Sequence, residues 1–313
     1  MSKVLLASLF LLAGAVATAQ QPLFRSGTEV VRVDALVLAG GRPVAGLTAA
    51  DFEIRDNGVP QRVDSVTTTD RVHLGVVIDA SGNMTADRMR LARAAVERVI
   101  GQLEPADRYE LFAFNDQVAL LGTSRESTDR VMERLTALRT RGSTTLIDAA
   151  YAATVHGAAV MGPKLLLLIT DGRNNNSFLQ LRDAIDAARR HETVIYPVAV
   201  EIDRAWRQGV YEHFKNDAVG LLRLIADETG GQMIEARWDE RLAATVAGIL
   251  AEYRQRYILT FTPESVGRGD GWHRLEVKVR GRRATVRARN QYWAGGSESG
   301  KRETGSGKGA TAR

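Results

Sequence analysis

His73 to Met84 reads His-Leu-Gly-Val-Val-Ile-Asp-Ala-Ser-Gly-Asn-Met, an apolar run that ends abruptly in oxygen-bearing side chains. Leu74, Val76, Val77 and Ile78 are short, continuous and β-branched-rich, the pattern of a buried strand. Asp79 stands where such a strand leaves its sheet. Ser81 and Asn83 follow at alternate positions, with Gly82 between them to let the backbone turn. Three oxygen donors at i, i+2 and i+4 beyond the end of a parallel strand point to a hard-cation site.

Strands alternate with helices downstream of this stretch, the signature of βαβ units. Helical spacing of Leu91, Ala95, Val99 and Leu103 predicts a helix over 86–102, and strands follow at 109–114 and 118–121. Ser127 caps a helix bearing Val131, Leu135 and Leu138; an Ala-rich helix spans 146–161; strands follow at 164–170, 194–200 and 232–235. Helices at about 181–188, 217–229 and 239–253 separate or close these strands, and 201–215 reads as an insertion. Residues 71–252 are thus expected to form a doubly wound, mostly parallel six-stranded α/β sheet flanked by helices.

Both flanks are β-rich. Residues 27–70 hold a strand with Val31, Val33, Ala35 and Val37 on one face. A second strand at 52–55 turns at Asp56-Asn57-Gly58, with 61–67 as its expected hairpin partner. Residues 255–294 hold alternating strands at 257–262, 275–279 and 285–288. Neither flank can cover its own apolar face, so the two are expected to pair into one small β-sandwich carrying the α/β body as an insertion. The Gly/Ser/Lys/Arg-rich residues 295–313 read as a disordered tail.

The chain has 313 residues, 44% hydrophobic and 25% charged, enough for a sizeable core. It has no cysteine, which excludes disulfides, thiolate metal sites and thiol nucleophiles. Lys3, the apolar run Val4–Val16 and Ala17-Thr18-Ala19 read as a secretory signal peptide over 1–19, shorter than the ~20 residues of a membrane span. The expected location is therefore periplasmic or secreted, with no stable membrane insertion after cleavage. From Tyr253 onward 14 Lys/Arg face 5 Asp/Glu, while the remainder has 28 against 32. The basic character is thus local and argues against a nucleic-acid partner. Lys278, Arg280, Arg282, Arg283, Arg287 and Arg289 read as a solvated strand face.

Two more loops supply oxygens at expected strand ends, Gly142–Leu146 and Thr170-Asp171-Gly172. Alone, Asp79 would read as a helix cap. With Ser81, Asn83, Thr144 and Asp171 it makes two carboxylates and three neutral oxygens, a set suited to Mg²⁺, then Mn²⁺, then Ca²⁺. Asp148 reads as a first-turn helix carboxylate.

Asp79, Ser81, Thr144 and Asp171 resemble, position by position, the metal-ion-dependent adhesion site of von Willebrand factor A-type domains: Asp-x-Ser-x-Ser, then Thr, then Asp. Asn83 stands where that family usually has Ser. Arg42–Leu47, Asp51–Ile54 and Asp56-Asn57-Gly58, with Tyr257–Thr262 and Arg287–Trp293, are similar to the flanks of an exported bacterial "VWFA-related" subfamily. The resemblance implies a Rossmann-like fold and an adhesion or protein-interaction module that binds a partner's acidic residue through a divalent metal.

Enzyme readings find little support. His73, His156, His191, His213 and His273 are scattered, and no Walker, Gly-x-Gly-x-x-Gly or Gly-x-Ser-x-Gly motif is present. A metal-dependent hydrolase of phosphate esters is the chemical alternative; a scaffold with a degenerate metal site, Asn83 being the lesion, is the third. Arg268-Gly269-Asp270 reads as a turn between strands.

Overall fold

The computed structural model describes residues 30–69, 71–202, 218–264, 266 and 271–295. The expected signal peptide, His213, the Arg-Gly-Asp turn, most of the 201–215 insertion and all but the first residue of the tail lie outside them. The N-terminal flank forms β1 (Val31–Ala39), β2 (Arg42–Pro43), β3 (Phe52–Asp56), β4 (Val59–Gln61) and β5 (Ser65–Thr68). The body comprises β6 (His73–Asp79), α1 (Ala86–Ile100), β7 (Arg108–Phe114), β8 (Val118–Thr123), α2 (Thr128–Ala137), α3 (Leu146–His156), β9 (Lys164–Thr170), α4 (Leu181–Arg190), β10 (Thr193–Val200), α5 (Ala218–Thr229), β11 (Ile234–Ala236) and α6 (Leu242–Tyr253). The C-terminal flank adds β12 (Tyr257–Phe261), β13 (Gly271–Val279), β14 (Thr285–Arg287) and β15 (Gln291–Ala294).

The body is a six-stranded sheet of order β11-β10-β9-β6-β7-β8, parallel except for the antiparallel edge strand β8. Every residue of β6, β9 and β10 is buried, as two-sided cover by helices demands. Leu74, Val76 and Ile78 pack into the layer of α1, α2 and α6, while Val77 faces α3, α4 and α5. Gly75 permits the tight β6–β9 approach: a Cβ there would lie 2.5 Å from Leu166 Cδ1. The chain winds one way from β6 and then the other from β9, so the switch point falls between these two strands.

The two flanks do pair. One sheet has the order β14-β1-β12-β5, the other β15-β13-β3-β4. Val33, Ala35, Phe52, Ile54, Leu259, Phe261 and Leu275 form their common core. Asn57 (φ 48) and Gly58 (φ 84) make the tight β3–β4 turn. The expected hairpin partner is corrected, however, since only Val59–Gln61 pairs with β3. Gln61 then exchanges hydrogen bonds with the Glu264 backbone, and the chain crosses to the other sheet, where β5 pairs with β12. The Ala-rich helix also stops early, at His156, and Met161 is exposed.

Of the expected solvated face, Lys278, Arg280, Arg282 and Arg283 are exposed and Arg287 is half-buried, but Arg289 is corrected, being buried at the seam between sandwich and body. It donates to the carbonyls of Arg189 (2.7 Å) and Arg32 (2.5 Å). Arg256, 1% exposed, donates to the carbonyls of Asp34, Arg287 and Gly230 and to the Tyr196 hydroxyl. Arg190 stacks on Trp293, 3.9 Å from the ring centre. Arg32 reaches Gly162 and Glu192, which precede β9 and β10, so the sandwich caps the end of the sheet where those strands begin. Arg256→Ala should lower stability by about 3 kcal/mol or more, since each orphaned buried acceptor costs roughly 1–3. Urea denaturation checks this; an unchanged midpoint would show that the seam does not depend on Arg256.

Candidate metal centre

β6 pairs with β9 in parallel register, Ile78 opposite Ile169. Asp79 and Thr170 therefore leave the sheet side by side, and Asp171 follows one residue later. Thr170 Oγ1 donates to Asp79 Oδ2 at 2.9 Å. Ser81 turns back on the same carboxylate: its backbone N–H donates to Oδ1 at 2.9 Å. Ser81 Oγ lies 2.5 Å from both Asp79 Oδ1 and Asn83 Oδ1. Asn83 Nδ2 donates to Asp171 Oδ2. The structure thus joins Asp79, Ser81, Asn83 and Asp171 in one hydrogen-bonded chain.

The Thr144 loop is joined to these residues through the backbone of Arg141 and Gly142. Gly142 O accepts from Gly82 N (3.1 Å) and Arg141 N donates to Ala80 O (3.0 Å), stitching the Thr144 loop to the Asp79–Asn83 loop. Thr144 itself is buried.

Asp79 is fully buried. Burial pushes its carboxyl up to about 6; the hydrogen bonds from Ser81 and Thr170 oppose the rise, and the charge of Asp171 adds to it. Asp171 has the Arg173 guanidinium 3.4 Å away. Two features of the donor set fit a hard cation. A buried carboxyl beside a second carboxylate gains from a nearby positive charge. One Ser81 hydroxyl proton also faces two oxygen acceptors, more oxygen than it can satisfy. Among the described residues no three His, Cys, Asp or Glu side chains gather as a metal cluster, so the candidate set is two carboxylates plus neutral oxygens.

Sequence reasoning missed the brace on this site. Asn175 Oδ1 accepts from Thr144 N at 2.8 Å, and Thr144 O accepts from the N–H groups of Asn175 and Asn176. Asp148 does sit in the first turn of α3, and there it accepts from Phe178 N (3.0 Å) and Leu179 N (2.9 Å). The polar run Asn174–Ser177 straight after Asp171 was the available signal.

Three of the histidines regarded as scattered gather in two places. His156 Nδ1 lies 2.9 Å and His73 Nε2 3.6 Å from Glu110. His273 and Tyr292 share Asp56 inside the sandwich. His73 starts β6 while Asp79 ends it, so the Glu110 group is ~20 Å from the candidate centre. Removing the Asp148 carboxylate (Asp148→Ala) should cost roughly 2 kcal/mol, as expected for charge-assisted bonds. Hydrogen exchange should then speed up at Phe178 and Leu179; unchanged protection there would refute the bracing role.

No curated protein matches the chain. Among solved structures it is similar to a von Willebrand factor type A protein from Catenulispora acidiphila, at 17% identity and TM-score 0.49, covering 78% of this chain and 72% of that one. It is similar to the vWF domain of the type V pili tip protein Mfa5 from Porphyromonas gingivalis, at 13% identity and TM-score 0.45, covering 59% and 95%. A third is proximal thread matrix protein 1 from the mussel byssus with a zinc-occupied MIDAS motif, at 14% identity and TM-score 0.48, covering 64% of this chain and half of that one. The von Willebrand factor type A domain profile matches residues 73–240, more than half of the sequence. The chain belongs to the von Willebrand factor type A domain family.

Proposed function

We propose that this protein is an interaction module that takes its partner through a divalent cation held by Asp79, Ser81, Asn83, Thr144 and Asp171. The observation that carries this reading is the convergence of Asp79 and Asp171, from adjacent strand ends, on one network with Ser81 and Asn83. Mg²⁺ suits that donor set best, Mn²⁺ next, with Ca²⁺ third. A hard divalent cation there would offer an open position to a carboxylate oxygen of the partner. Asp79 and Asp171 supply the charge that holds it; Ser81 and Thr144 supply neutral oxygens. The Asn83 amide, now donating to Asp171, must rotate to present its oxygen.

The protein partner is read as presenting an acidic residue, and residues 1–19 as directing export to the periplasm or beyond. Among the described residues no helix is long and apolar enough to cross a membrane. Phosphate-ester hydrolysis is the alternative for the same donor set; among the described residues His73 and His156 stand with Glu110 at the other end of β6. The degenerate-site reading draws on one observation, the Asn83 amide nitrogen held against Asp171.

The immobilised protein should retain a partner from envelope extract with Mg²⁺ present and lose it with EDTA or with Asp79→Ala. Retention under both conditions would contradict the proposal. Saturating Mg²⁺, at about a hundred times its Kd, should add about 2.7 kcal/mol to stability in the wild type and nothing in Asp171→Ala. A wild type indifferent to Mg²⁺ and Mn²⁺ would favour the degenerate-site reading.

A further inference from the structure

Phe178 is 91% exposed, though it belongs to the best-braced loop of the metal-centre face. Its own N–H is held by Asp148, in the first turn of α3, the helix that follows Thr144. Leu179 N is held by the same carboxylate, and Ser177 Oγ accepts from Ile147 N at 3.1 Å. A large apolar side chain on an ordered backbone loses little entropy when something covers it, which is the character of a binding anchor.

Arginines stand around the same face. Arg139 and Arg141 are exposed on the approach to Thr144, and the backbone of Arg141 is fixed to Ala80. Arg173 flanks Asp171, and Arg88 donates to Asn83 O at 3.1 Å. Among the described residues the other acidic groups of this face are already engaged: Glu201 pairs with Arg88, Asp148 holds the loop, and Asp116 lies against Gly142. Asp79 and Asp171 face the proposed cation.

Resting on the metal-site reading above, we infer that the partner segment is acidic at more than one position and carries an apolar side chain that packs on Phe178. One carboxylate goes to the cation, a second meets Arg141, and the apolar group covers the phenyl ring. A neutral or basic segment would bring no counter-charge to Arg141, and a segment with a lone carboxylate would leave Arg141 and Phe178 in water.

A random peptide library selected on the full chain with Mg²⁺ tests this, with EDTA elution and calorimetry of the recovered peptides. The expected clones carry two or more carboxylates and an apolar residue. Phe178→Ala and Arg141→Glu should each weaken them about tenfold or more with no loss of Mg²⁺ binding. EDTA-sensitive clones with a lone carboxylate, bound equally by both variants, would overturn the inference and leave the metal-site reading standing. A selection with no EDTA-sensitive clone would overturn both. A wild-type dimer that becomes monomeric in Phe178→Ala would overturn the inference by assigning Phe178 to a second copy of the chain.

Discussion

The parallel register of β6 on β9 governs the rest of the structure. Pairing Ile78 with Ile169 places Asp79, Thr170 and Asp171 at one level, at the switch point of the sheet. Both strands are buried along their whole length, so their polar side chains come only where the strands end. A carboxylate with no exposure beside a second carboxylate is unfavourable by itself. Serine, threonine and asparagine neighbours stabilise it, and a cation would do so further.

The sandwich occupies the other end. Its seam is polar: Arg256 and Arg289 donate mostly to main-chain carbonyls across the boundary rather than to carboxylates. Guanidinium groups suit this, since five fixed donors can satisfy carbonyls from several strands at once. A wholly apolar seam would have left those carbonyls unpaired. The arrangement leaves the Asp79–Asp171 end of the sheet clear of the flanks.

Much of this was legible in the sequence, for reasons that differ by element. β6 and β9 announced themselves as continuous apolar runs ending in Asp or Thr-Asp, because two-sided burial leaves no polar position inside the strand. The flanks were legible as partners because neither could bury its own face. Arg256 and Arg289 were illegible, since charged residues near alternating strands normally face water and only the seam makes them interior. The change of sheet after Gln61 was hidden for a similar reason: Gln61 is held by hydrogen bonds to Glu264, more than 200 residues away. At the site, Asp79, Ser81 and Asn83 could be read from local spacing. The Asn175 and Asp148 brace depends on contacts about 30 residues apart, which local spacing does not encode.

The central claim is that the Asp79–Asp171 network holds a divalent cation. Anomalous diffraction from crystals soaked in Mn²⁺ tests it most directly. The account predicts one strong peak between Asp79 and Asp171, faced by the Ser81 and Thr144 oxygens, with the Asn83 nitrogen released from Asp171. No peak there under saturating Mn²⁺, with Asn83 Nδ2 still donating to Asp171, would contradict it.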